Sequence, residues 1–459
     1  MTIAEIYDIY KQHPQVTTDS RQCPEGGMFF ALRGANFDGN AYAAASLEKG
    51  CAVAVIDAPQ YAVVGDSRYI LVDDVLRTLQ DLAAYHREQL QIPVIQITGT
   101  NGKTTTKELV SAVLSRKYRT LYTLGNLNNH IGVPLTLLRI SQEHEIAVIE
   151  TGANHPGEIE ELSKMVKADS GLITNVGRAH LEGFGSFEGV KATKGELYDS
   201  LQERGKFTFI NMMDWDLVEM AMDKGLQMIP YVQGVVEQDT TEPQPQPSAL
   251  QTWAMGGTSA DTQVEEPKFN PFLKLRWLTH AGTACQVQTH LIGDYNLPNV
   301  LAAITVGLHY GVAIDDINAA LQDYTPTNNR SQYLPTSSNQ LIIDAYNANA
   351  SSMAVALDNF RQIRHAAKMV ILGDMREMGK ESTAEHQKIV DRLSKMRLEE
   401  IWLVGSEFAK CRTKGLRNYT HFDDVEAVKS RLASIPIHGR LILIKGSNGT
   451  KLFQLPEML

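Results

Sequence analysis

The chain has 459 residues, enough for about three domains of roughly 150 residues each. Hydrophobic residues make up 43% of it and charged residues 21%, a balance typical of a globular enzyme, which argues against a disordered, collagen-like or coiled-coil protein. The net charge of −10 argues against wholesale binding to nucleic acid or anionic membranes, because an acidic surface repels phosphate groups.

The cysteines and the N-terminus indicate the compartment. Cys23, Cys51, Cys285 and Cys411 are far apart and form no C-x-x-C pair, so we expect neither a zinc cluster nor a disulfide framework. This usage fits a reducing compartment. The N-terminal segment lacks the apolar core of a signal peptide, and no run approaches the about 18 apolar residues of a membrane helix. We therefore expect a cytoplasmic protein that does not insert into membranes.

Residues 1–85 are predicted to form a small α/β domain with the short strands MFFAL, CAVAVI and YILVDDV. Residues 86–323 are predicted to form a larger domain, in which the apolar strands PVIQIT, EIAVIE, SGLITNV and KFTFIN alternate with helical patterns. Its segment from about 234 to 271 is rich in Pro, Gln, Thr and acidic residues. We expect this segment to be an exposed insertion or mobile loop, because it has little apolar surface to bury.

Residues 324–459 are predicted to form a third domain. The strand candidates LIIDA, MVILGD, EIWLVG and RLILIKG are separated by helical patterns, an alternation typical of βαβ units in a mostly parallel, Rossmann-like sheet. The chain as a whole is therefore predicted to be an α/β protein of three domains.

A phosphate-binding loop is predicted between the strand PVIQIT and the helix that follows it. It comprises Gly99, Thr100, Asn101, Gly102, Lys103, Thr104 and Thr105. Glycines and a helix start direct backbone N–H groups toward phosphate, Lys103 would reach the β- and γ-phosphates, and Thr104 would bind magnesium. Ile97 stands where the common motif has its first glycine. The alternative is a helix cap with a surface lysine; we favour a nucleoside triphosphate site in a P-loop-type central sheet.

Several later segments, read with this loop, resemble the Mur ligase family, the ATP-dependent amide-forming enzymes of peptidoglycan precursor synthesis. The segments are ETGANH from Glu150, NVGRAHLEGFGS from Asn175, KGE from Lys194, NLPN from Asn296, Arg330 and Asp344. DSR at 19–21, DAYNANASSM and LGDMREMG are most similar to the members that add D-alanyl-D-alanine to UDP-N-acetylmuramoyl-tripeptide. The resemblance implies that activity, through an acyl-phosphate intermediate, with these small molecules as substrates. We expect the chain to be a monomer.

Two alternatives remain open from the sequence. One is another amide ligase of the same superfamily, of the diamino-acid-adding or folylpolyglutamate type, although the DNPR-like run of the diamino-acid enzyme is absent. The other is a P-loop NTPase without ligase activity, which would leave the Asn-rich loops unexplained.

The metal ligands are predicted from residue chemistry and from the resemblance. Glu150 ends an apolar strand and, with Thr104, offers the hard oxygen ligands that Mg²⁺ prefers. The resemblance implies that His180 binds a second metal ion and that Lys194 is carbamylated. The segment VKATKGELY contains both Lys191 and Lys194, and the residues alone do not distinguish them; the match to KGE selects Lys194. Lys103, His180 and Lys194 are the expected catalytic residues.

The remaining predicted contacts concern the nucleotide and the substrates. For ATP, the resemblance implies Asn296, Asn299, Arg330 and Asp344. For the substrates, it implies Ser20, Arg21, Asn126, Asn128, Asn129, Tyr346, Asn347, Asn349 and Asp374. The sequence departs from the family pattern at two positions. Asn40 replaces the His of DGH, so we expect no histidine contact there, and Asn448 replaces the Arg of KGSR, so we expect no guanidinium contact there.

Overall fold

The computed structural model describes residues 1–178, 181–233, 254–258, 271–279 and 283–459, with the backbone alone for 181 and 254–258. These residues form three consecutive α/β units, each built on its own sheet of four, nine or six strands. The predicted three-domain α/β architecture is confirmed. None of the helices in the described ranges has the length and apolar character needed to cross a bilayer.

The first unit is a four-stranded parallel sheet in the order β1-β2-β5-β6, with a short β3-β4 hairpin beside it. Its elements are α1 (Ile3–Gln12), β1 (Val16–Thr17), β2 (Met28–Phe30), β3 (Arg33–Gly34), β4 (Phe37–Asp38), α2 (Ala43–Glu48), β5 (Val53–Ile56), β6 (Tyr69–Leu71) and α3 (Val75–Glu88). Helix α1 begins with a capping box, in which Thr2 and Glu5 each satisfy the other's backbone N–H.

The central unit is a nine-stranded sheet in the order β15-β14-β13-β12-β11-β10-β7-β9-β8. Its elements are β7 (Val94–Thr98), α4 (Lys103–Leu114), β8 (Thr120–Tyr122), α5 (Gly132–Leu137), β9 (Ile146–Glu150), α6 (Glu158–Val166), β10 (Ser170–Ile173), α7 (Leu181–Phe184), α8 (Phe187–Glu203), β11 (Phe207–Asn211), α9 (Trp215–Asp223), β12 (Gln227–Gln233), β13 (Ala254–Thr258), β14 (Phe272–Thr279), β15 (Ala284–Ile292), α10 (Leu297–His309) and α11 (Ile314–Asp323). Strands β7 to β13 pair in parallel, whereas β14 and β15 are antiparallel additions at the edge.

Strand β13 lies inside the segment that the sequence predicted to be an exposed insertion or mobile loop, so residues 254–258 form a strand and not a loop. The strand pairs in parallel with β12 and antiparallel with β14. Because strand pairing satisfies backbone groups whatever the side chains are, a polar segment can still complete a sheet between two partners. Residues 234–253 and 259–270, the rest of the predicted insertion apart from Pro271, lie outside the described residues.

The third unit is a six-stranded sheet in the order β16-β17-β21-β18-β19-β20. Its elements are β16 (Gln332–Pro335), β17 (Gln340–Asp344), α12 (Ala350–Gln362), β18 (Lys368–Gly373), α13 (Ser382–Leu393), β19 (Glu400–Val404), α14 (Ser406–Ala409), β20 (Tyr419–Phe422), α15 (Val425–Ser434) and β21 (Leu441–Lys445). The four predicted strands are β17, β18, β19 and β21, and their parallel pairing is confirmed. Strand β16, which was not predicted, is antiparallel.

Polar groups of the central and third units lie at the carboxyl ends of their parallel strands. The phosphate loop follows β7, Glu150 ends the neighbouring strand β9, and Asp344 ends β17 of the third unit. Ligands of open parallel sheets bind beyond the carboxyl ends of the strands, which is where these groups lie.

Helix α3 joins the first and central units. Its buried Leu79 and Leu82 belong to one apolar cluster that includes Val55 of the first sheet and Leu137 of α5. The boundary predicted between residues 85 and 86 falls inside this helix. The two units therefore share a core, which fixes the first sheet relative to the central one.

Replacing Leu82 by Ala should lower the free energy of unfolding by about 2–5 kcal/mol, because the side chain is fully buried and leaves a cavity in the shared core. The urea midpoint measures the change. The control is Leu71→Ala, since Leu71 is 47% exposed, and it should change stability by less than about 0.5 kcal/mol. Equal midpoints for the two variants would contradict the shared core.

Candidate active site

A cleft of about 1170 Å³ lies where the three units meet. Helix α3 of the first unit contributes Arg77 and Asp81, the central unit contributes the phosphate loop and Glu150, and the third unit contributes side chains at the ends of its strands. A volume of this size, lined mainly by polar groups, is suited to a large and charged ligand.

The phosphate loop has glycine where no other residue fits. Gly99 has a φ of +139°, and a Cβ there would meet the Thr174 side chain at 2.1 Å. Gly102 has a φ of +80°, and its Cβ would meet Asn299 at 2.8 Å. The segment after β10 holds the loop: Asn175 accepts hydrogen bonds from the backbone N–H groups of Thr100 and Asn101 at 3.0 and 3.1 Å.

Lys103 opens α4 and lies against its own loop. Its Nζ donates hydrogen bonds to the carbonyl oxygens of Gly99 and Thr100 at 2.8 and 3.0 Å. Burial lowers the pKa of Lys103 to about 8; nearby Glu150 opposes this shift and nearby Arg330 adds to it. Lys103, Glu150 and Arg330 therefore lie within electrostatic reach of one another.

Glu150 provides an oxygen suited to a metal ion. Its Oε1 accepts hydrogen bonds from Thr104 Oγ1 at 3.1 Å and from Asn128 Nδ2 at 2.7 Å. Its Oε2 is buried and has no hydrogen-bond partner among the described residues. A buried carboxylate oxygen without a partner is costly unless a cation or another donor binds it. Glu150 and Thr104 thus fit a hard divalent cation such as Mg²⁺.

The structure distinguishes the two candidate lysines of α8. Lys191 forms ion pairs with Asp216 at 2.9 Å and Glu219 at 2.7 Å, which raise its pKa. Lys194 is 2% exposed, and its Nζ lies 5.4 Å from the centre of the Phe184 ring. Burial lowers the pKa of Lys194 to about 7, with a further contribution from Lys103. Of these two lysines, Lys194 is therefore the one that combines burial with a readily formed neutral amine.

The central unit thus brings together Lys103, Glu150 and Lys194. His180, predicted as the ligand of a second metal, lies outside the described residues, so its prediction stands on sequence alone.

Asn296 and Asn299 form a chain of hydrogen bonds beneath the phosphate loop. Asn299 Oδ1 accepts from Thr106 at 3.0 Å, Asn299 Nδ2 donates to Asn296 Oδ1 at 2.9 Å, and Asn296 Nδ2 donates to the Ile292 carbonyl at 2.8 Å. Both residues line the cleft. Their amides are therefore fixed in orientation, and much of their bonding capacity is used within the protein.

The third unit contributes Arg330 and Asp344. The Arg330 guanidinium lies 3.9 Å from the centre of the Tyr346 ring. Asp344 Oδ2 accepts a hydrogen bond at 2.5 Å from Lys445, which is 1% exposed. Sequence reasoning did not select Lys445 as a site residue. The feature that identifies Lys445 is the parallel register of β17 and β21, which places it directly beside Asp344.

The other predicted substrate residues that line the cleft are Asn126, Asn128, Asn129, Tyr346 and Asn347. Two of them have local roles as well. Asn128 holds Glu150, as described above, and Asn129 Oδ1 accepts backbone hydrogen bonds from Ile131 and Gly132 at the start of α5.

Asn349 and Asp374 make contacts within the protein and are not among the residues that line the cleft. Asn349 caps α12 through Ser352, and its Nδ2 donates to Asn101 Oδ1 of the phosphate loop at 2.8 Å. Asp374 accepts hydrogen bonds from the backbone N–H groups of Glu407 and Phe408, both at 3.0 Å, at the start of α14. The carboxylate of Asp374 is therefore occupied by a structural cap rather than turned to the cleft.

Ser20 and Arg21 lie in the first unit, apart from the main cleft. Arg21 lines a second cavity of about 1020 Å³, and its guanidinium donates two hydrogen bonds to Asp19, each at 2.8 Å. Asn40, which replaces the family's His, is buried and bonded to Asp38 and Asp57. Asn40 therefore stabilises the first unit through hydrogen bonds to two of its carboxylates.

Family comparisons agree with this three-unit architecture. Residues 14–87 match the model of the Mur ligase family catalytic domain, residues 97–307 match the Mur ligase middle domain, and residues 329–448 match the Mur ligase glutamate ligase domain.

Curated relatives and solved structures cover nearly the whole chain. The chain is 31% identical to the UDP-N-acetylmuramoyl-tripeptide–D-alanyl-D-alanine ligase of Bacillus subtilis, over 97% of this chain and 92% of that protein. It is 30% identical to the enzyme of that name from Escherichia coli, over 100% and 98%. A crystal structure of MurF from Acinetobacter baumannii aligns with a TM-score of 0.80 at 29% identity, over 99% and 97%. These matches and the three family domains show that the chain belongs to the Mur ligase family.

Proposed function

We propose that the protein is an ATP-dependent ligase that adds D-alanyl-D-alanine to UDP-N-acetylmuramoyl-tripeptide in peptidoglycan precursor synthesis. The similarity to enzymes of this name extends over essentially the full chain. The observation that carries the proposal is that the phosphate loop opens into a cleft lined by all three units. Such a cleft can gather a nucleotide, an acceptor carboxylate and an amine, as a ligation requires and a plain NTPase does not.

The reaction proceeds in two transfers. The terminal carboxylate of the tripeptide attacks the γ-phosphorus of ATP, ADP leaves, and an acyl phosphate forms. The amine of D-alanyl-D-alanine then attacks the acyl carbon, loses a proton, and the tetrahedral intermediate expels phosphate to leave the amide. Lys103 and Arg330 stabilise charge on the transferring phosphoryl group, because both cations reach the same part of the cleft.

Glu150 and Thr104 would hold magnesium next to the phosphate loop. The metal would neutralise phosphate charge and so allow the carboxylate to approach. The chain's contribution is to fix the ligands: Asn128 and Thr104 orient one Glu150 oxygen, and the other has no hydrogen-bond partner within the described part of the chain.

Lys194 is proposed to carry a carbamate. Its neutral amine would add carbon dioxide and release a proton, which converts a buried cation into an anionic oxygen ligand. Burial supports this, since it disfavours the ammonium form. His180 is proposed as a further metal ligand from its position in the family motif.

For the nucleotide, we assign the adenine side to Asn296 and Asn299 and the ribose hydroxyls to Asp344. Lys445 supports the last assignment, since it fixes the Asp344 carboxylate at the edge of the cleft. Asn126, Asn128, Asn129, Tyr346 and Asn347 are proposed to bind the peptide substrates. Ser20 and Arg21 are proposed to bind the uridine nucleotide, with Arg21 released from Asp19 when the phosphate arrives.

We further infer a cytoplasmic monomer. The free cysteines Cys23, Cys51, Cys285 and Cys411 fit a reducing compartment, and a single chain supplies every lining group of the cleft used above.

Incubation with ATP, magnesium, UDP-N-acetylmuramoyl-tripeptide and D-alanyl-D-alanine should yield ADP and the pentapeptide product in equal amounts. Continuous ADP formation should require both cosubstrates, because the tripeptide carboxylate accepts the phosphoryl group and the amine is needed to consume the acyl phosphate, from which water is excluded. Chromatography of nucleotides and peptides measures both products. ADP release without either cosubstrate would indicate an NTPase, and turnover only with a free diamino acid would indicate a sister ligase.

Lys194→Ala should lower kcat by about a hundredfold or more, and added bicarbonate should not restore it, because the anionic oxygen ligand is lost. Lys191→Ala is the matched control from the same helix and should keep near-normal activity, since its ammonium is engaged by Asp216 and Glu219.

A second readout is independent of turnover. With ¹³C-bicarbonate, NMR should show a protein-bound carbamate carbon in the wild type and in Lys191→Ala but none in Lys194→Ala. Full activity of Lys194→Ala, or an unchanged carbamate signal in that variant, would reject the assignment.

A further inference from the structure

Glu108 of α4 is the centre of a polar cluster that the reaction described above does not use. Its Oε2 accepts a hydrogen bond from Tyr324 OH at 2.7 Å. Its Oε1 accepts from Asn328 Nδ2 at 3.2 Å and from Lys107 Nζ at 3.3 Å. Lys107 is completely buried, so Glu108 also supplies the negative charge that this ammonium needs.

Tyr324 and Asn328 belong to the segment that connects the central and third units. Helix α11 ends at Asp323 and strand β16 begins at Gln332, so the connection between these units runs over residues 324–331. Arg330 lies near its end. Glu108 therefore accepts two hydrogen bonds from the segment that contains Arg330, a cation of the proposed phosphoryl-transfer site.

The backbone around Arg330 is held in an unusual conformation. Asn329 and Ser331 have φ values of +56° and +49°, in the left-handed region that non-glycine residues rarely adopt. Such residues persist only where their surroundings hold them. Here the Asn329 carbonyl accepts a hydrogen bond from Ala345 at 3.0 Å, and Ser331 Oγ lies 2.8 Å from Tyr295 OH.

We propose that Glu108 is a positioning residue for the ligation reaction: through Tyr324 and Asn328 it fixes the connecting segment so that Arg330 points at the γ-phosphate. This inference rests on the role given to Arg330 in the proposed function. Glu108 and Lys103 lie on the same helix, one and a half turns apart, so α4 sets the distance between the two cations.

A rigid link of this kind matters because the two cations act on one phosphoryl group. A displacement of about 1 Å in a group that stabilises the transition state can cost about a hundredfold in rate. The contacts from Ala345 and Tyr295 hold Asn329 and Ser331, the two residues next to Arg330, and do not reach the earlier part of the segment. Without Glu108, the segment loses the side-chain contacts at Tyr324 and Asn328 and keeps the longer contact of Thr325 with His290 at 3.5 Å.

Glu108→Ala should lower kcat for ligation about 10- to 100-fold and change KM for ATP much less, because Arg330 acts mainly in the transition state. Glu108→Gln should stay within about threefold of the wild type. Its amide can accept from Tyr324 and donate to Asn328 Oδ1, a buried atom with no partner among the described residues. Tyr324→Phe removes one hydroxyl, keeps the Lys107–Glu108 pair, and should lower kcat severalfold.

Glu108→Ala and Glu108→Gln both leave Lys107 buried without its counter-ion, so loss of stability alone must be separated from misplacement of Arg330. Thermal unfolding of every variant shows which ones are folded at the assay temperature. If Glu108→Ala is unfolded there, Tyr324→Phe provides the test in its place. Asp323→Ala is the matched control. It removes a 2.5 Å contact with Arg116, a neighbouring link between the ends of α4 and α11, and should keep near-normal kcat.

The decisive measurement is a double-mutant cycle with Arg330→Ala. If Glu108 acts through Arg330, adding Glu108→Ala, or Tyr324→Phe, to Arg330→Ala should change kcat by less than about twofold. Multiplying losses would overturn the inference, as would normal kcat in Glu108→Ala and Tyr324→Phe while Arg330→Ala is impaired. Normal kcat in Arg330→Ala would instead overturn the role of Arg330 in the proposed function, and this inference with it.

Discussion

Two anions, a carboxylate and a polyphosphate, must meet in this cleft, and the arrangement of cations that permits this governs the site. Lys103 lies within electrostatic reach of Arg330: burial lowers the pKa of Lys103 to about 8, and the Arg330 charge adds to this shift. Lys103 in turn adds to the effect of burial on Lys194, whose pKa falls to about 7 and whose neutral amine is the form that can accept carbon dioxide. Such crowding is unfavourable in the protein alone and is relieved when anions bind. The site is thus built for charged ligands.

The three-unit architecture serves the same constraint. Helix α3 ties the first sheet to the central one through a shared core, so the first unit contributes Arg77 and Asp81 to the cleft from a fixed position. The third unit reaches the phosphate loop directly, through the hydrogen bond from Asn349 to Asn101. Because groups from all three units surround the cleft, ligands bound there are shielded from water that would hydrolyse an acyl phosphate.

Local signals in the sequence predicted much of the fold and part of the site. The phosphate loop could be predicted because it follows a strand and contains two glycines and Lys103. Glu150 could be predicted because it ends a strand, where it lies beside Thr104. Roles that depend on tertiary partners could not be predicted in this way. Burial separates Lys194 from Lys191, the start of α14 occupies Asp374, and Glu108 gains its partners from a segment more than two hundred residues away.

In the proposed reaction the acceptor carboxylate is activated by phosphoryl transfer, so one of its oxygens leaves with the phosphate when the amide forms. Labelling both oxygens of the terminal carboxylate of UDP-N-acetylmuramoyl-tripeptide with ¹⁸O tests it most directly, with mass spectrometry of the phosphate released during ligation. An acyl phosphate carries one substrate oxygen into the phosphate, so the account predicts one ¹⁸O in each phosphate formed with product. Phosphate without label, alongside normal formation of the amide, would contradict it.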